Sequence, residues 1–200
     1  MSKMNNSKIK MMAVAVALTS TLTACTFNFG DSDSDRSGGM MGGGMMNNSS
    51  GSSEFSASDI MFAQMMIPHH KQAVEMSTLA ETRALSPEVK ALAKQIKEEQ
   101  APEIEQMTKW LSDSNSPMEM GHDMGMNGML SDEQMQELEA ATGADFDTLY
   151  LKGMIEHHNG AIQMAQMVVN SNNAEAKALG EAIISSQTKQ IKYMESLLSK

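Results

Sequence analysis

Apolar residues recur three and four positions apart from about residue 58 to the end of the chain, the spacing of one face of a helix. Ile60, Phe62, Ala63, Met66, Ile67, Ala73, Val74 and Met76 predict a helix over about 58–85. Pro68 lies inside it, lacks an N–H and crowds the preceding turn, so a kink is expected there. Ser86-Pro87-Glu88 reads as a helix start, with Ser86 as N-cap and Pro87 at the first helical position. Val89, Leu92, Ile96, Ile104, Met107 and Leu111 carry this second helix to about residue 111, with Pro102 interrupting it. Residues 112–131 lack such a pattern and predict a long loop, of a kind that is functional or disordered when found in compact domains. Ser131-Asp132-Glu133-Gln134 fits a capping box and opens a short helix ending near Gly143. Two more long helices are expected over about 146–170 and 174–198. Gly160 in the first of these costs about 1 kcal/mol relative to Ala, but admits close approach of another backbone or a ligand.

These elements form two copies of one unit. Met65-Met66-Ile67-Pro68-His69-His70 and Gly153-Met154-Ile155-Glu156-His157-His158 align at an offset of 88 residues, with Asp59/Asp147 and Phe62/Tyr150 upstream. Lys90, Leu92, Gln100, Ile104, Met107 and Leu111 match Lys177, Leu179, Gln187, Ile191, Met194 and Leu198 at an offset of 87. One helical hairpin cannot bury both of its faces. Two of them predict an all-α four-helix bundle with approximate twofold symmetry, joined by the long loop.

The N-terminal quarter reads differently. Lys3, Lys8 and Lys10 precede an apolar run from Met11 to Leu22, too short to span a bilayer. Leu22-Thr23-Ala24-Cys25 then resembles a bacterial lipobox, which makes residues 1–24 a signal peptide and Cys25, the single cysteine, the lipidated residue. The protein is therefore expected to be exported and lipid-anchored at the periplasmic face of a bacterial membrane. By resemblance to Gram-negative lipoproteins, Thr26, a residue other than Asp after the cysteine, favours the outer membrane if the cell has two. Residues 25–57, rich in Gly, Ser, Asp and Met, cannot bury a core and predict a flexible, disordered tether. The helical domain takes up residues 58–200. With 25 acidic against 15 basic residues, the net charge of −10 argues against a nucleic-acid partner.

Composition then points to chemistry. The chain holds 23 Met but only 5 His and one Cys. Four of the histidines are His69, His70, His157 and His158, and each pair has Met on both sides. Imidazole and thioether together suit copper, above all Cu(I), with Cu(II) or Ag(I) as further candidates. Thioethers cannot form disulfides, which favours them over thiolates in an oxidising compartment. On a helix Met66 neighbours His69 and His70, Met65 neighbours His69, and Met154 neighbours His157 and His158. Met76 lies on the same side as His69 but about 10 Å further along the axis, better placed for a second site. Adjacent histidines point about 100° apart, so each pair needs partners from another helix. A carboxylate-bridged di-iron site would need Glu where Met66 and Met154 stand. The loop holds Met118, Met120, His122, Met124, Met126 and Met129 in twelve residues without helical or strand periodicity, and suits a looser site. Its thioethers should bind Cu(I) down to about pH 5, whereas imidazole sites should weaken near the usual histidine pKa of about 6.5. Met107, Met135, Met167 and Met194 read as core filler.

The segments Met66-Ile67-Pro68-His69-His70 and Met154-Ile155-Glu156-His157-His158-Asn159-Gly160-Ala161 resemble those of the domain of unknown function 305 family. The resemblance covers about residues 58–200 and implies a ferritin-like four-helix fold and periplasmic copper binding. It implies Met65, Met66, His69, His70 and Met76 as copper ligands, and Met154, His157, His158 and Met164 in the second copy. Glu156 stands where the first copy has Pro68. The expected role is copper sequestration, storage or hand-over in copper tolerance, with a copper donor or efflux protein as partner and a membrane contact through lipid alone. No catalytic constellation is present. A copper-dependent oxidoreductase, or a structural or signalling bundle without metal, are the competing readings.

Overall fold

The computed structural model describes residues 54–119 and 127–199. They form four long helices and one short one: α1 (Ala57–Arg83), α2 (Pro87–Asp113), α3 (Asp132–Ala140), α4 (Gly143–Ala165) and α5 (Ala174–Leu198). Side-chain caps fix most of the starts. In the capping box of α1, Ser56 Oγ accepts from the Asp59 N–H and the Asp59 carboxylate accepts from the Ser56 N–H. Ser86 accepts from the N–H groups of Glu88 and Val89, with Pro87 opening α2. Ser131 and Gln134 form the expected box at α3. Asn173 caps α5.

Pro68 and Pro102 lie inside α1 and α2, which run on through them because each costs one backbone bond while the flanking turns keep their buried faces. Two boundaries differ from expectation. Gly143, with φ +67°, begins α4 rather than ending α3. Helix α4 stops at Ala165, five residues early, where β-branched Val168 and Val169 run into the turn-forming Asn170-Ser171-Asn172. The packed region also starts a little before residue 58: Phe55 lies against Trp110, ring centroids 4.9 Å apart. The signal peptide, Cys25 and nearly all of the tether lie outside the described residues.

α1 packs along α2, α4 along α5, and α1 along α4. α2 and α5 are tied by Gln190 Nε2 donating to Glu99 and by Trp110 Nε1 donating to Glu175. The apolar core falls into two clusters, one at each end of the bundle. One joins Phe62, Met66, Met107, Trp110, Met164 and Ile183. The other joins Met76, Leu92, Ile96, Tyr150, Met154 and Met194. The first half of α1 thus meets the second half of α4, so the two helices run antiparallel, and the repeat exchanges the two ends.

Candidate metal centre

Between the two clusters lies a polar layer. His69, His70, His157 and His158 are all fully buried, and Gln100 and Gln187 are 2% exposed. These residues sit in the core register. On α2, Gln100 and Glu103 follow Ile96 and precede Met107, and on α5 Gln187 and Gln190 follow Ile183 and precede Met194. Each would be an aliphatic residue if packing alone decided.

The histidines divide their partners between helices, as their 100° separation requires. His69 of α1 meets His157 of α4, ring centroids 3.7 Å apart and planes at 40°. Their neighbours turn outward: His69 and His70 centroids are 6.5 Å apart, and those of His157 and His158 6.3 Å. His70 Nε2 lies 2.8 Å from Glu103 Oε2 on α2. His158 Nε2 lies 2.7 Å from Gln190 Oε1 on α5. Among the described residues the remaining ring nitrogens have no hydrogen-bond partner: both of His69, both of His157, and Nδ1 of His70 and of His158. Both polar atoms of Gln100 and of Gln187 are also without partners. Buried polar groups left unpaired in this way cost about 1–3 kcal/mol each, and their clustering marks a place where something is held.

Charge reinforces this. Burial pushes His69 down to about 3, with His70 adding to the effect. The Asn127 carbonyl pulls the other way without reaching good hydrogen-bond geometry. Burial likewise pushes His158 down to about 4, against the Gln190 hydrogen bond. His157 is held well below the usual histidine value by burial, then by the neighbouring imidazoles. These three rings are neutral at pH 7 and keep lone pairs for a metal. The usual histidine value near pH 6.5 therefore does not describe these rings, which inside the fold resist protonation well below it.

The methionines bracket the layer. Met66 and Met164 lie in one apolar cluster, and Met76 and Met154 in the other. Met76 is therefore grouped with the second copy's Met154, at the opposite end from Met66. Met107 and Met194, read as filler, belong to the same two clusters. Met65 is half-buried against the Met66 end. Among the described residues no three His, Cys, Asp or Glu side chains gather about one point, so the thioethers are the donors left to complete a shell. Glu75 and Glu156 are exposed on the surface.

The long loop is fastened across this layer. Gln64 Nε2 donates to the Pro117 carbonyl at 2.8 Å. Gln72 donates to the Leu130 carbonyl and accepts from the Leu130 N–H. Asn127 Nδ2 donates to Gln163 Oε1. Gly160 meets its expectation of a close backbone approach. A Cβ there would stand 1.9 Å from the Asn127 oxygen, and one on Gly128, whose φ is +89°, would stand 2.6 Å from the Glu156 oxygen. Met118 is 45% exposed and Met129 half-buried. Met120, His122, Met124 and Met126 lie outside the described residues.

Sequence reasoning missed Gln100, Gln187, Glu103 and Gln190. The signal was available as polar residues on an otherwise apolar helix face, repeated in both hairpins.

A duplicated helical hairpin with a buried His–Met middle defines a class of small four-helix proteins suited to soft metals. The chain belongs to the DUF305 family, a domain of unknown function, whose profile matches residues 59–198. It is 35% identical to a DUF305 protein from Streptomyces coelicolor predicted to be secreted, over 71% of this chain and 91% of that one, with a TM-score of 0.68. A DUF305 fragment from Deinococcus radiodurans matches at 26% identity over 72% and 97% of the two chains, TM-score 0.67. CopM in its Cu(I)-bound form matches at 31% identity over 70% and 95%, TM-score 0.60, and CopM is also solved with Cu(II) and with silver. No curated protein matches the chain. Among the described residues no helix is long and apolar enough to cross a membrane.

Proposed function

We propose that this protein binds copper outside the cytoplasm, held to a membrane by lipid on Cys25, and serves in sequestration, storage or hand-over rather than catalysis. The observation that carries this reading is the set of six unpartnered histidine nitrogens in a water-excluded layer between two methionine clusters. Neutral imidazole and thioether prefer Cu(I), and accept Ag(I) on the same grounds and Cu(II) through nitrogen. The proposed ligands are His69, His70, His157 and His158, with Met65, Met66 and Met164 towards one end and Met76 and Met154 towards the other. Similarity to CopM, solved with copper and with silver, supports the metal assignment. Similarity to the Streptomyces protein supports an extracytoplasmic location.

Met118, Met120, His122, Met124, Met126 and Met129 form a second, looser set in the loop. A glycine-spaced segment loses chain entropy when it wraps a metal, whereas ligands on rigid helices lose less. The loop would capture copper and exchange it quickly, and the layer would retain it. A copper donor or an efflux protein is the fitting partner.

Anaerobic Cu(I) titration of the exported protein against a competing chelator tests the reading. Stoichiometric copper that the chelator cannot remove is expected, and its absence would refute it. Location is tested by Cys25→Ser, which should release the protein from membranes or stall its processing. Unchanged membrane partitioning would reassign the anchor to the apolar segment at residues 11–22.

A further inference from the structure

The hairpins repeat their histidines but not what stands behind them. Glu103 and Gln190 occupy equivalent positions at the 87-residue offset, yet one is a carboxylate and the other an amide. Each meets Nε2 of the second histidine in its half, at 2.8 Å and 2.7 Å. The proton positions follow from the partners. An ionised carboxylate can only accept, so His70 carries its proton on Nε2. Gln190 donates through Nε2 to Glu99 Oε2 at 2.8 Å, which fixes the amide and turns its oxygen towards His158. His158 therefore also donates from Nε2. Both rings are held in one tautomer, and in both the unpartnered Nδ1 is the free lone pair.

The halves thus offer the same donor atom with different backing. His70 rests directly on a carboxylate. His158 reaches one only through a neutral amide, by a relay that does not repeat, since Ser186 stands at the position equivalent to Glu99. We propose that Glu103 and Gln190 make the two halves of the copper site unequal, the His70 half favouring Cu(II) and the His158 half favouring Cu(I). The proposal rests on the copper-binding function proposed above. A carboxylate drawing on the Nε2–H raises electron density at Nδ1, and it adds a negative charge close to the metal. Both effects stabilise a dication more than a monocation. The amide supplies a hydrogen bond without the charge. Glu103 and Gln190 are positioning residues, acting through the rings they hold.

The test compares Glu103→Gln with the double variant Gln190→Glu/Glu99→Gln, which moves a carboxylate behind His158 while an amide at position 99 supplies the donor that Gln190 gives up. Affinities for the first copper equivalents are measured for Cu(I) and Cu(II) separately, with chelators specific for each, alongside the midpoint potential and the Cu(II) electron paramagnetic resonance spectrum. Circular dichroism checks the fold. E103Q is expected to lose about 10–100-fold in Cu(II) affinity while Cu(I) affinity changes less than about threefold. At about 59 mV per tenfold for one electron, its potential rises by about 60–120 mV. The Gln190→Glu/Glu99→Gln variant is expected to move Cu(II) affinity and potential in the opposite directions. Equal changes in both oxidation states, or none, with tight Cu(I) retained, would overturn the inequality and leave copper binding standing. Loss of the fold in one variant leaves the other to decide. A wild type without tight copper would overturn both.

Discussion

The ends of this bundle and its middle follow opposite rules. At the ends, apolar side chains pack against one another and buried Ser77 pairs with Tyr150 at 3.0 Å, and among the described residues a single buried polar side-chain atom there, Asp59 Oδ1, has no partner. In the middle, six imidazole nitrogens and two whole amides lie buried without partners. Leucine at these positions would continue the heptad-like faces of α1, α2, α4 and α5 and would cost nothing in desolvation. Retaining polar groups there costs about 1–3 kcal/mol for each one unpaired. Stability therefore resides at the ends, and the polar middle is where the proposed metal binding would offset its cost.

The largest expected effect breaks that division outright. Replacing His69 and His157 together by Leu should lower the tightest Cu(I) affinity by more than the roughly 10–100-fold that loss of a ligand's outer-shell partner costs, since ligands themselves are removed. The same change should raise the thermal midpoint of the apo-protein by a few degrees, since about 1 kcal/mol shifts a domain of this size by about 2–4 °C. Chelator competition and thermal denaturation read the two effects. A destabilised variant would mean that the stacked rings support the fold.

Acid probes the same contrast without mutation. His69 is pushed down to about 3, His158 to about 4, and His157 well below the usual value of 6.5. In the unfolded chain these rings take up protons as pH falls through about 6.5, while in the fold they stay neutral. The stability they allow is therefore fully present above pH 6.5 and is lost progressively as pH falls towards 4. The slope approaches about 1.4 kcal/mol per pH unit for each ring. Urea unfolding of the apo-protein at pH 7.5, 6 and 5 measures it. Equal stability at all three values would show that the rings are hydrated or protonated in the native state.

A smaller effect concerns the loop that crosses the middle. Gly160→Ala would place a Cβ 1.9 Å from the Asn127 oxygen. Overpacking of this kind costs about 1–3 kcal/mol, partly offset by about 1 kcal/mol of helix propensity. The loop end should lift from α4 and become sensitive to limited proteolysis. A variant that melts higher and resists cleavage would show that the side chains of Gln64, Gln72 and Gln163, and not this close backbone approach, hold the loop.

The smallest effect separates loop from layer. Changing Met118, Met120, Met124, Met126 and Met129 to Leu should remove weak, fast-exchanging Cu(I) and leave the tightest affinity within about threefold, because the layer's ligands stand on rigid helices. The lost stoichiometry should be the same at pH 7.5 and pH 5, since thioethers do not titrate. Unchanged stoichiometry at both values would make the loop a connector.

Much of this architecture is readable in the residues. Ser86-Pro87 and the Ser131/Gln134 box place their helix starts, and the last helix runs over the expected Ala174–Leu198. The paired histidines mark the repeat and the candidate ligands at once. What is hidden depends on contacts between helices. That Met76 joins Met154, and not Met66, follows from antiparallel packing of α1 on α4, which spacing along one helix cannot reveal. Gln100 and Gln187 look like ordinary surface amides until the register shows them facing inward. The histidine pKa values depend on burial, which a model-peptide value ignores. The early end of α4 is set where Val168 packs beside Gly180.

The central claim is that lone pairs of the buried imidazoles, together with the flanking thioethers, hold the tight copper. X-ray absorption at the copper edge, on protein loaded anaerobically with one equivalent of Cu(I), tests it most directly. The expected shell mixes sulfur with nitrogen and carries the outer-shell scattering of imidazole, and both features persist in the loop variant lacking five methionines. A shell of sulfur alone, or one lost with the loop methionines, would place the tight copper outside the buried layer and contradict the account.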